Sequence, residues 1–221
     1  VNTSERDALI FHALFLTAAA ALVLVEIDAV ALGVRILILV VGYNLALPLV
    51  AKWRGHALWM RIWAFVLPIS VLQIYPDWFL VDVVGSLSFD VPGVVAMGPV
   101  PGYMGLMWSI PLFAVVFVGE RVESWREGRG LHAAVLTGVA FFAGAEALLP
   151  VLEIWQPVDV TLVAGIAVYI LPAEAVLSAV TYVAWKQTRE RGLSARIAAA
   201  LVVMFCYLGA ASAFYLAVEI A

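Results

Sequence analysis

Seven apolar runs, separated by short charged loops, decide what this chain can fold into. They cover residues 8–25, 30–51, 57–75, 99–119, 131–150, 161–185 and 197–219. A hydrocarbon core about 30 Å thick is crossed by ~20 helical residues. Lipid supplies no partner for a backbone amide, so a run of this length closes its hydrogen bonds within itself as a helix. The expected fold is all-α: one integral membrane domain over residues 1–221, with seven transmembrane helices. A chain that is 65% hydrophobic, 13% charged and of mean hydropathy +1.06 leaves no stretch for a separate soluble domain. The first run has the small-residue patch Ala18–Ala21 of a cleavable leader. Because the rest of the chain is equally apolar, it is read as a first transmembrane helix.

The loops alternate in charge. Lys52, Arg54 and Arg61, then Arg121, Arg126 and Arg129, then Lys186, Arg189, Arg191 and Arg196 fall on the same side as Arg6. The other side carries Glu26, Asp28, Asp77, Asp82, Asp90, Glu153, Asp159 and Glu219 and no lysine or arginine. The positive-inside rule then places the protein in the cell membrane, with its N-terminus cytoplasmic and its C-terminus external. Arg35 sits near the acidic side and is expected to snorkel toward Asp28 or Glu26. The longest connection, Pro76 to Gly98, is external. Its segment 76–84 reads as a short interfacial helix between spans three and four, with Asp77 and Asp82 toward water and its aromatics toward headgroups.

Several chemistries are excluded by what is missing. The single Cys206 gives no disulfide framework, and His12, His56 and His132 share no ligand spacing, so no metal site is expected. No dinucleotide fingerprint, P-loop or nucleophile elbow is present, and no cofactor is expected. No basic patch suits nucleic acid. The last run has no lysine to hold retinal.

Glu174 stands out, about halfway along the sixth run in Ile170-Leu171-Pro172-Ala173-Glu174-Ala175-Val176-Leu177. An acidic residue at the centre of a spanning helix costs roughly 2.5–3.5 kcal/mol, and such residues face a bundle interior or a wet cavity. Held neutral in an apolar pocket, it is a proton donor. Ser178, Thr181 and Tyr182 follow on the same or an adjacent face. Glu146 is a second intramembrane acid, about one turn inside the external end of span five; two carboxyls in unlike surroundings suit one acid and one base. Asp77 and Glu153 are shallower, surface charges or residues of a cavity mouth. Asn44, an amide within span two, either bridges helices or touches a ligand. Tyr103, Trp108, Tyr169 and Trp155 lie where they would bound such a cavity, and aromatic faces stabilise cations. Tryptophans at span ends, Trp53, Trp59, Trp63, Trp125, Trp155 and Trp185, also suit an interfacial belt.

An internal echo links the halves. Leu72-Gln73-Ile74-Tyr75-Pro76 resembles Leu152-Glu153-Ile154-Trp155-Gln156-Pro157, and each precedes a proline-bearing stretch, Val100-Pro101-Gly102-Tyr103 and Leu171-Pro172-Ala173-Glu174. A helix-hairpin repeat, 57–119 and 131–185, would face two kinks across one cavity.

The block Glu153-Ile154-Trp155 … Tyr169-Ile170-Leu171-Pro172-Ala173-Glu174 resembles the integral-membrane lycopene cyclases, whose paired halves carry Pro-x-Glu-Glu followed by aromatics, and the related seven-helix terpene cyclases. Here Ala175 replaces the second Glu, and the first half has Gly102-Tyr103 where an acid would stand. A second likeness, through Pro76-Asp77-Trp78-Phe79-Leu80 and Trp108-Ser109-Ile110-Pro111, is to heptahelical proteins of archaea and bacteria and implies a fold without an activity. The cyclase resemblance implies proton-initiated, cofactor-independent cyclisation of a carotenoid or prenylated isoprenoid, with Glu174 and Glu146 catalytic. The partners implied are that lipid-like substrate and membrane lipids, with a homo-oligomer compatible and no nucleic acid. The alternative is a non-catalytic heptahelical carrier, binder or sensor of a lipid or small molecule.

Overall fold

The computed structural model describes residues 3–25, 30–152 and 154–221. The described chain is mostly helical: α1 (Thr3–Leu24), α2 (Leu32–Arg54), α3 (Ala57–Leu72), α4 (Ile74–Phe79), α5 (Met104–Met107), α6 (Ser109–Trp125), α7 (Gly130–Leu152), α8 (Ile170–Thr188) and α9 (Leu193–Tyr215). By length and composition, six stretches among the described residues can cross a membrane: α1, α2, α3 with its continuation to Val84, α5–α6, most of α7, and α9 with its continuation to Ile220. The protein is thus a helical membrane bundle. The helix that carries Glu174 is not among the six. Glu174, Ser178, Thr181, Lys186 and Gln187 dilute its apolar content, and it is held instead between α7 and α9.

α3 forms the centre. Trp59, Ile62, Phe65, Val66 and Ile69 are fully enclosed by α2, α6 and α9. Two of the tryptophans expected in an interfacial belt belong to this core: Trp59 donates to Ser4 Oγ at 3.0 Å, and Trp185 packs its ring on Phe65. Trp53 and Trp125 do stay exposed. The difference lies in which helix face each occupies, which position relative to a span end does not reveal.

Helices that pack without a hydrophobic driving force gain by close approach, which small residues permit. Gly119 on α6 receives the Tyr182 ring, and Gly138 on α7 receives Ser178. These two contacts seat α8. The basic end of the bundle is clamped by ion pairs: Arg54 to Asp7 at 2.8 Å, Arg189 to Glu120 at 2.7 Å, and Arg121 to Glu5.

At the other end lie three two-stranded ladders, of which β3 and the β5–β6 hairpin replace what reads in sequence as helix. β1 (Leu87–Ser88) pairs antiparallel with β4 (Gln156–Pro157); β2 (Ala96–Met97) pairs with β3 (Val100–Pro101); β5 (Leu162–Val163) pairs with β6 (Ile166–Ala167). Spans four and six were expected to begin at 99 and 161, but their helices start at Met104 and Ile170. The cause is turn chemistry. Gly98 (φ 66°) before Pro99, and Ala164 (φ 53°) with Gly165 (φ 82°), are two-residue hairpin turns that force the chain back on itself. The apolar strands keep the hydropathy high, so the runs look continuous.

The segment expected as an interfacial helix continues α3 with only Gln73 between, as α4 and a π-helical turn, Leu80–Val84. Asp82 faces outward, but Asp77 is buried. The continuation aims Asp77 into the bundle, contrary to the expected water-facing side chain. Arg35 donates to the carbonyls of Leu22 (2.9 Å) and Val25 (2.6 Å), capping the end of α1. Its expected partners Glu26 and Asp28 lie outside the described residues, as does Glu153.

Candidate functional site

A cavity of about 430 Å³ opens among α1, α2, α4, α6, α7, α8 and α9 beneath the hairpins. Its size falls in the range of small-molecule pockets, ~300–1,000 Å³. Its walls are almost wholly apolar, with three carboxyl side chains among them: Asp77, Glu146 and Glu174. Each is nearly sealed, at 2%, 6% and 4% exposure.

The three acids differ in their partners. Trp108 donates its indole N–H to Asp77 Oδ2 at 3.0 Å, and Trp155 donates to Glu146 Oε1 at 2.9 Å. Indole nitrogen donates and never accepts, so each of these carboxyls has one oxygen held by a fixed donor. Glu174 Oε2 is buried with no hydrogen-bond partner among the described residues. A lone carboxyl among apolar groups is worth most as a neutral acid, since an unpaired buried charge costs far more than an unpaired hydroxyl.

Aromatic rings stand among the aliphatic side chains of the lining. Trp108 meets Tyr207 and Phe142, each at 5.6 Å between ring centroids. Tyr169 crosses Tyr215 at 5.4 Å and shares a 2.9 Å hydrogen bond with Ser86 Oγ. The wall toward lipid is incomplete. Leu16 and Leu24 on α1, and Phe141 and Leu148 on α7, line the cavity and are also exposed on the outer surface. The cavity wall and the outer surface of the protein therefore meet along α1 and α7.

Of the residues expected to form the site, Glu174, Glu146, Asp77, Trp108, Trp155 and Tyr169 meet in this cavity. Tyr103 does not line it; fully enclosed, it directs its hydroxyl to the Ile154 carbonyl at 3.5 Å. Asn44 is a helix bridge. It donates to the carbonyls of Val40 (2.9 Å) and Leu106 (3.2 Å) and accepts from Trp63 (3.2 Å) and Ser109 (2.9 Å), which uses its amide completely. The stripe after Glu174 serves packing: Ser178 Oγ donates to the Glu174 carbonyl at 2.8 Å, and Tyr182 reaches Glu120. Tyr207, Phe142 and Ser86 are lining residues that sequence reasoning missed. Tyr207, a phenol near the middle of the seventh run, was the one signal that could have found them. Among the described residues no three His, Cys, Asp or Glu side chains cluster as a metal-ion site.

A family model described as a domain of unknown function, DUF6989, matches residues 74–218. The chain belongs to that family. The matched region begins at Ile74, just before Asp77, and runs through α9, so it contains all three acids, Trp108 and Tyr207. The walls contributed by α1 and α2 lie before it. No curated protein and no solved structure matches the chain.

Proposed function

We propose that this cavity protonates and cyclises an isoprenoid, carotenoid or prenylated, drawn from the bilayer. The observation that carries the reading is the buried Glu174 carboxyl, one oxygen unpartnered, in an apolar cavity with aromatic rings in its wall and exposed apolar side chains on its outer side. Glu174 gives its proton to a terminal carbon–carbon double bond. The electron pair of a neighbouring double bond closes the ring, and the positive charge rests over aromatic faces. Loss of a C–H proton to a carboxylate restores a double bond, so substrate and product are isomers. Water kept out of the cavity prevents quenching of the cation. Glu146 and Asp77 are the carboxyls placed to receive the returning proton.

The test is to express the gene in hosts that accumulate lycopene or prenylated quinones and profile the lipids by mass spectrometry. Membranes incubated in D2O should yield a cyclised isomer carrying one added deuterium. The second reading, a lipid carrier or sensor, rests on the same apolar walls; it predicts that ligand is bound and recovered unchanged in every host.

Substrate enters between α1 and α7. Ala19 and Ala145 line the cavity from these two helices and are small. Ala19→Phe and Ala145→Phe should raise KM about tenfold or more with little change in kcat, since they obstruct loading and leave the acids in place. An unchanged KM in both variants would remove this route.

In this reading α8 is the seventh span, and the π-helical turn after α4 lies at the external interface. The N-terminus is then cytoplasmic and the C-terminus external. A cysteine in place of Ser88 should react with an impermeant maleimide from outside whole cells, and one in place of Ser124 only after lysis. The reverse pattern would invert the topology.

A further inference from the structure

The two hairpins are related by more than shape. Met97 and Val100 flank the first turn and Val163 and Ile166 the second, a constant offset of 66 residues. The same offset relates Tyr103 to Tyr169, each standing immediately before a helix. The two tyrosines also reach across the molecule reciprocally: Tyr103 to the Ile154 carbonyl ahead of the second hairpin, and Tyr169 to Ser86 ahead of the first. The segments they reach are joined by the antiparallel β1–β4 pair. Reciprocal ties and an antiparallel pair between corresponding segments are what a two-fold relation between two repeats produces.

Carried one turn into the helices, the same offset places Trp108 in correspondence with Glu174. This differs from the correspondence that the prolines suggest, because Pro101 lies in a strand and Pro172 in the first turn of a helix. The first half therefore has no acid at the position that corresponds to Glu174. At that position it has an indole whose N–H holds a carboxyl from another element, Asp77, at 3.0 Å.

We propose that Asp77, presented by Trp108, is the catalytic base that removes the proton from the cyclised cation. The inference rests on the cyclisation reading and assigns its second carboxyl. The Trp108 ring, packed with Tyr207 and Phe142, offers the aromatic face over which positive charge is stabilised. The edge of that same ring fixes Asp77 Oδ2. One side chain thus binds the cation and positions the base. Glu146 is tied to Trp155, and its own helix supplies the exposed Phe141 and Leu148. The balance is simple. The Glu174 O–H bond breaks and a substrate C–H bond forms; a C–C bond closes the ring; a C–H bond beside the cation breaks, its electron pair becomes the new double bond, and its proton passes to Asp77. No oxidant or reductant is consumed. Each cycle moves one proton from Glu174 to Asp77, and exchange through solvent resets the pair.

The experiment compares wild type, Asp77→Asn, Asp77→Glu, Trp108→Phe and Glu146→Gln in membranes of lycopene- or prenylquinone-accumulating hosts, with products resolved by mass spectrometry. Asp77→Asn keeps Glu174 and should still consume substrate in a first turnover within a few-fold of wild type. Its product should change from one alkene isomer to a mixture with displaced double bonds and water-derived alcohols. Asp77→Glu should restore part of the single-isomer pattern. Trp108→Phe keeps a ring but frees the carboxyl, and should shift products the same way. Glu146→Gln is the comparison that separates the two carboxyls: it should shift the double-bond positions less than Asp77→Asn does. A wild-type product pattern in Asp77→Asn, or in Trp108→Phe if Asp77→Asn does not accumulate, overturns the assignment, as does a shift confined to Glu146→Gln. Failure of the wild type itself to cyclise any of these lipids instead removes the cyclisation reading, and the base with it.

Discussion

Glu174→Gln should insert, fold and retain its lipid ligand while kcat falls by about 10²–10⁴-fold, the usual worth of a positioned general acid. Glutamine fills nearly the same volume, so the apolar walls need not move. It places an amide where Oε2 already has no partner, and an unpaired buried polar group of this kind costs only about 1–3 kcal/mol. What it lacks is a proton that a double bond can take. The loss should therefore appear in kcat with KM little changed, the mark of an interaction made in the transition state. Conversion per mole of protein in matched membranes measures it. Activity within a few-fold of wild type would remove Glu174 as donor and make Glu146 the next candidate. Full activity in Glu146→Gln as well would leave neither glutamate as the proton donor, whereas a wild type that returns every lipid unchanged would leave the carrier or sensor reading standing.

How much of this could be read from the chain follows the range of each signal. Spanning helices announce themselves because lipid demands an apolar face all round, and α1, α2 and α9 lie close to where the hydropathy puts them. The hairpins ahead of α5 and α8 do not announce themselves. Leu162, Val163 and Ile166 are as apolar as the helix that follows, and only Gly98-Pro99 and Ala164-Gly165 betray the turns. Glu174 was legible because an acid deep in an apolar run has few bland explanations. Asp77 was legible only as a surface charge or a residue of a cavity mouth, since its neighbours Trp78 and Asp82 suit an interfacial helix. Its burial depends on Trp108, 31 residues away, a contact with no local trace. Asn44 was undecidable in sequence for the same reason: its partners Trp63, Leu106 and Ser109 come from three other helices. The echo in the sequence aligned the prolines, whereas in the repeat inferred above the hairpins set the register.

The largest structural effect is expected at Gly138. A methyl there would lie 1.8 Å from Ser178 Oγ and 2.7 Å from Ser178 Cβ, with Val115 Cγ2 at 3.3 Å on the far side. No rotamer of Ser178 relieves a clash with its own Cβ, so Gly138→Ala must push α8 away from α7. Overpacking of this kind costs roughly 1–3 kcal/mol in a rigid interior. Here it also loosens the contacts on which helix association in lipid depends. Ser178 is one turn from Glu174 and bonds its carbonyl at 2.8 Å, so a displaced α8 carries the acid with it. A shift of about 1 Å at a catalytic group lowers rate by ~10²-fold. Gly138→Ala should therefore reduce both the thermal stability of the detergent-solubilised protein and its turnover, although it touches no cavity residue. Ser178→Gly removes both colliding atoms. Alone it should cost little beyond helix propensity, about 1 kcal/mol; combined with Gly138→Ala it should recover most of the lost stability and activity. Such coupling between two sites is the signature of a shared contact. Additive losses in the double variant would show that α8 is seated by something other than the Gly138–Ser178 contact. The position of Glu174 would then need another explanation.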